Sequence, residues 1–103
     1  MIVLGMYKEI YHNDSFPSIS DFVSNNEMEN KTVILDYLRK GKVTAASPAR
    51  MVDVINGEKI DGSLKMLEDD KYAWRSDLIY YFEKYNLKLD DDFIAHVLSK
   101  MKE

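Results

Sequence analysis

The sequence predicts a helix-rich α+β domain with a small β-hairpin region in its middle. Three observations carry this. Apolar residues recur at helical spacing in the last third, as Leu78, Tyr81, Phe82 and Tyr85 and again as Ile94, Val97, Leu98 and Met101. Residues 42–74 lack that spacing and contain Asn56-Gly57, a strong two-residue hairpin signal. The chain is 46% hydrophobic and 12% aromatic, enough to build one core over 103 residues, so a single domain, 1–103, is expected.

The elements follow in order. Val3, Met6, Tyr7, Ile10 and Tyr11 sit at roughly helical spacing and read as a short helix over 2–11, with a strand over Ile2–Leu4 as the alternative. Met6 is an alternative start that would leave the first five residues as an extension. Residues 12–17 form a loop. Ser18 then resembles an N-cap, with Asp21 three residues on, for a short helix that buries Ile19, Phe22 and Val23. Asn26 or Glu27 opens the next helix, and acids at 27 and 29 suit the positive end of its dipole. Its apolar stripe is Val33, Ile34, Tyr37 and Leu38, and Gly41 lies just past its end.

The middle of the chain is extended. Residues 43–48 read as extended chain or loop, and 51–55 have strand propensity. Asp61-Gly62 marks a second turn. Leu64, Met66, Tyr72 and Trp74 lie on a second pair of short strands that reverses at Glu68-Asp69-Asp70. Ser76 is the expected N-cap of the next helix, which Asn86 ends. Asp90 caps the last helix, Leu89 and Ile94 form a hydrophobic staple, and Lys100 and Lys102 suit its C-terminal end.

Composition bounds the function. The chain has no Cys, which excludes disulfides, thiolate metal sites and a cysteine nucleophile. No secretory leader and no apolar run near the roughly 20 residues that span a bilayer are visible, so the expectation is a cytoplasmic protein without membrane contact. A net charge of −4 disfavours a nucleic-acid binder and suits either ordinary solubility or a basic protein partner.

Few groups point to catalysis. The two histidines, His12 and His96, would have to converge with a carboxylate to hold zinc, and nothing in their spacing suggests it. His96 lies beside the apolar stripe of the last helix and reads as a structural histidine. Asp90, Asp91 and Asp92 are explained by a helix N-terminus. The Glu68–Asp70 run reads as a solvated turn or as an acidic binding patch, and it lacks the alternating ligands and glycine of a calcium loop. The glycines form no phosphate-binding pattern. Arg39, Lys40 and Lys42, with Arg50 beyond, form the one basic cluster. Tyr81, Phe82 and Tyr85 belong to a core, whereas Trp74 and Tyr80 are either core or interface anchors.

One stretch resembles a recurring bacterial pattern: the acidic turn Asp69-Asp70, the aromatic-x-Trp of Tyr72 and Trp74, then Asp77-Leu78-Ile79-Tyr80-Tyr81, Lys84-Tyr85, Leu89 and Phe93. Upstream, Pro17-Ser18-Ile19 and Ile34-Leu35, Tyr37-Leu38 and Gly41 are similar too. The pattern resembles small immunity proteins of polymorphic-toxin and contact-dependent inhibition systems. It departs at Asp69-Asp70, where Asp-Gly is expected, and at Leu89-Asp90, where Leu-Pro is expected. The resemblance implies a non-catalytic inhibitor that binds a cognate toxin domain, often a basic nuclease, and needs no cofactor. The partner-binding residues expected are Asp53, Glu68, Asp69, Asp70, Tyr72 and Trp74. The rival readings are a regulatory or scaffold module that binds an endogenous protein or forms part of a homo-oligomer, and a small carboxylate-dependent enzyme in which Asp53, a histidine and several acids converge.

Overall fold

A computed structural model describes residues 1–101; Lys102, expected beside the last helix terminus, lies outside the described residues. The chain is α+β, with strands β1 (Ile2–Val3), β2 (Lys42–Val52), β3 (Lys59–Glu68) and β4 (Tyr72–Arg75) and helices α1 (Lys8–Tyr11), α2 (Lys31–Arg39), α3 (Ser76–Tyr85) and α4 (Asp91–Met101). A 3-10 turn covers Ile19–Phe22. The strands form one sheet in the order β1-β4-β3-β2. At 38% helix and 27% strand the chain is α+β without being clearly helix-rich.

The extra strand content comes from two places. Ile2–Val3 is a strand because Ile2 N–H donates to Lys71 O and Leu4 N–H donates to Ala73 O, pairing β1 in parallel with β4. The alternative reading of the N-terminus therefore holds, and the helix shrinks to Lys8–Tyr11. β2 is longer than expected because Lys42–Ala46 pair with Lys65–Glu68 of β3, so residues 43–48 are strand rather than loop. Asp61-Gly62 is not a turn. It lies inside β3 at the register irregularity opposite Arg50 and Met51, where Gly62 takes φ +91°.

The helix termini also shift. The 3-10 turn is capped as expected by Ser18, whose hydroxyl accepts from Ser20 N–H, while Glu9 rather than Asp21 completes the cap by accepting from Ile19 N–H and Ser18 Oγ. α2 starts at Lys31, four or five residues late. Ser24 N–H donates to Tyr85 O, so the chain before α2 is tied to the end of α3 instead of coiling. Arg75, not Ser76, is the N-cap of α3; Ser76 Oγ accepts from Lys65 N–H.

The core lies between the sheet and the helices. Its fully buried members include Trp74, Tyr81, Phe82, Phe93, Ile34 and Leu38. Leu78, Tyr81 and Phe82 of the expected α3 stripe are buried. On α4 the buried residues are Phe93 and Val97, Ile94 and Leu98 are half-covered, and Met101, expected in the stripe, is 60% exposed because it lies in the last turn beyond the core. Gly41, between α2 and β2, passes against the indole: a Cβ there would stand 2.5 Å from Trp74 Cζ2. Among the described residues no helix is long and apolar enough to cross a membrane.

Candidate functional site

Two aspartates organise the polar chemistry of the molecule, one at each turn of the β2–β3–β4 meander. Asp53 begins the β2–β3 turn. Its Oδ1 accepts from Ile55 N–H at 2.8 Å and Asn56 N–H at 3.1 Å. Its Oδ2 accepts from the hydroxyls of Tyr80 and Tyr85, both at 2.7 Å. Tyr81 adds a third tie, donating to Val52 O and accepting from Val54 N–H. The turn therefore spans Asp53 to Glu58 rather than the two residues Asn56-Gly57, and α3 clamps it through three tyrosines.

Asp69 begins the β3–β4 turn in the same way. Its Oδ1 accepts from Lys71 N–H at 2.8 Å and Tyr72 N–H at 2.6 Å. Its Oδ2 meets Tyr37 Oη of α2 in a short hydrogen bond and His96 Nε2 of α4 at 2.8 Å. Asp70, exposed beside it, lies 3.7 Å from His96 Nε2 and accepts from Lys100 Nζ at 2.8 Å. Asp69, Asp70 and His96 each bring one donor atom within 4.8 Å of the others, the one such metal-compatible group among the described residues. The spacing of the two histidines concealed this, because the acids come from a turn and His12 takes no part.

Burial works against ionising these acids, but the hydrogen bonds prevail. Burial raises the Asp53 carboxyl, while Tyr80, Tyr85 and the amides of Ile55 and Asn56 lower it, and the net direction is down. The Asp69 carboxyl is held at about 2, with Tyr37, two backbone amides and His96 outweighing burial. The Tyr37 hydroxyl is pushed up by burial and by its bond to Asp69.

The six residues expected to bind a partner do not form one surface. Asp53 and Trp74 are 0% exposed and Tyr72 is 2% exposed. Alternation along β4 explains the aromatics: positions 72 and 74 share the face that the core covers, and Trp74 Nε1 donates to Leu38 O at the end of α2. These three are corrected to structural residues. Asp69 is mostly covered by its own partners. Glu68 is half-buried, and Asp70 remains open to solvent. Asp53 bonds to α3 tyrosines and His96 to Asp69, so the convergence of Asp53 with a histidine that the enzyme reading required does not occur.

The surface that the sequence did not single out is β2. It is an edge strand, and of its eleven residues only Met51 is buried. It carries Lys42 and Arg50 and no acid, and Val43 and Val52 are about half exposed. A hollow of about 320 Å³ opens elsewhere, floored by Phe82, Leu87 and Leu89 and edged by Lys31, whose ammonium donates to Glu83 O and Asn86 Oδ1 at the end of α3. Compared with protein families, curated proteins and solved structures, the chain finds no match.

Proposed function

We propose that this chain is a non-catalytic inhibitor of the immunity type, which binds a cognate toxin domain through the free edge of β2. The observation that carries the reading is the edge itself. The open side of β2 offers N–H and C=O groups to an incoming chain in two stretches, 42–46 and 50–52, separated by Pro48 and a register irregularity, and alternate exposed side chains supply selectivity. Val43 and Val52, with Val54 and Ile55 in the following turn, are exposed apolar contacts along it. Glu68 is the register partner of Lys42, so Glu68 and Asp70 flank one end of the strand. Glu68 and Asp70, beside Lys42 of β2 itself, supply the acidic contribution expected for a basic partner, acting on encounter rate and choice of partner more than on affinity.

The test has two stages. The purified chain is used as bait in source cells, and the partner it retains is assayed with and without the chain. A stoichiometric toxin fragment whose activity the chain suppresses supports the reading; a retained partner that stays fully active in the complex refutes inhibition. Thr44→Pro, at the irregularity where Thr44 has no register partner on β3, then removes an N–H from the strand and should weaken the complex at least about tenfold with little change in folding. Unchanged affinity removes β2 from the interface.

A regulatory or scaffold module is the second reading, and the same edge favours it, because two copies can pair through β2. Sedimentation of the free chain separates the two. A dimer that Thr44→Pro dissolves supports self-assembly.

A further inference from the structure

We propose that Asp69, Asp70 and His96 form a binding site for a divalent first-row transition ion of the zinc type. One imidazole nitrogen and two carboxylate oxygens make a three-donor set that such ions accept, with water completing the shell. The geometry is close to that needed. Around an ion with bonds near 2.1 Å, neighbouring donors stand about 3 to 3.5 Å apart. His96 Nε2 lies 2.8 Å from Asp69 Oδ2 and 3.7 Å from Asp70 Oδ1, which brackets that spacing.

Two of the three ligands are held in place before any ion arrives. Asp69 Oδ1 is fixed by the amides of Lys71 and Tyr72, which aims Oδ2 at His96. Tyr37 Oη donates to that same carboxylate, the kind of outer contact that orients metal ligands. The His96 ring packs against Tyr72 and Phe93, with centroids 5.0 and 6.5 Å away. Asp70 is the solvent-facing ligand: its side chain is 66% exposed and is held by Lys100 rather than by the core, so it approaches the ion from the solvent side.

A positive charge already stands at the site. The Lys100 ammonium, 2.8 Å from Asp70 Oδ1, occupies the position a cation would contest. Binding displaces it, and Nε2 must present its lone pair, so its proton passes to Nδ1 or, from the imidazolium, to solvent. The ion would then join the β3–β4 turn to α4 more firmly than the hydrogen bond does.

The experiment is calorimetric titration of the chelator-treated full chain with zinc chloride, repeated with cobalt(II) for its absorption bands. One zinc ion per chain is expected, with a higher thermal midpoint in its presence. His96→Gln should weaken binding at least tenfold, and Asp70→Asn should weaken it several-fold. Lys100→Gln should strengthen it several-fold by removing the competing ammonium, an effect that a purely structural His–Asp pair would not produce. Should His96→Gln fail to fold, Asp70→Asn at an exposed position and Lys100→Gln at a half-buried one give the same readout. No stoichiometric binding at about 100 µM zinc, or binding unaltered in Asp70→Asn and Lys100→Gln, overturns the assignment.

Discussion

Asp53 and Asp69 share one design: one carboxylate oxygen caps the turn backbone, and the other collects side-chain donors from helices. Removing Asp53 strands four donors, the amides of Ile55 and Asn56 and the hydroxyls of Tyr80 and Tyr85. Asp53→Ala should therefore cost about 3 kcal/mol, whereas Tyr80→Phe or Tyr85→Phe alone should cost about 1 kcal/mol. Urea unfolding measures both, and an Asp53→Ala loss under about 1 kcal/mol would show that the turn does not depend on its carboxylate. The same bonds set a pH dependence. Both carboxyls titrate lower in the folded chain than the unfolded value of about 3.9. Their stabilisation is present in full well above that value and is lost as pH falls through the folded values, near 2 for Asp69. The urea midpoint should fall steadily from pH 5 toward pH 2, and Asp53→Asn should flatten part of that slope.

At the scale of elements, what could be read in the chain depended on who supplies the bonds. α3 was legible because its stripe buries one face against the core, and that spacing is written in the sequence; α4 was legible as a helix, but its buried face centres on Phe93 and Val97 and leaves Met101 outside. β2 was only partly legible, because it is held by backbone bonds to β3 and buries almost nothing, so no apolar alternation announces residues 42–50. The acidic turn was legible as a turn. That Asp69 faces inward was not, since Tyr37 and His96 reach it from 32 and 27 residues away. Tyr72 and Trp74 alternate correctly for a strand, but alternation alone does not say which face is covered. Gly41 shows the same limit. It was expected as a helix terminator, yet its φ is not left-handed, and its small size serves the passage of α2 into β2 beneath Trp74. Gly41→Ala should therefore cost about 2 kcal/mol through overpacking, not backbone strain. Trp74 is the only tryptophan, so its emission reports directly; a shift to the red with lost stability is expected, and neither would appear if the indole simply moved aside.

At the scale of the whole molecule, the sheet brings the N-terminal residues against the strand that carries the central aromatics. β1 is only two residues long, yet it turns β4 from an edge into an interior strand. Leu4, which follows it, is 3% exposed and belongs to the core cluster. Gly5 then takes φ +73° and sits so close to Leu78 that a Cβ would lie 2.8 Å from its Cδ1. These contacts bear on the alternative start at Met6. A chain beginning there loses the burial of Leu4 and the two bonds from Ile2 and Leu4 to β4. It also avoids the entropy cost of ordering about five residues. Burial of Leu4, the partial cover of Ile2 and Val3, the contacts with β4 and Leu78 that would be exposed again, and two hydrogen bonds together outweigh that cost only modestly, so the shortened chain should be less stable by about 2 kcal/mol and still fold. Urea unfolding followed at Trp74 decides the matter, because Tyr72 and Trp74 lie on the strand that would become an edge. Equal midpoints for the two chains would mean that β1 adds nothing to the sheet and that β4 is held from the β3 side alone.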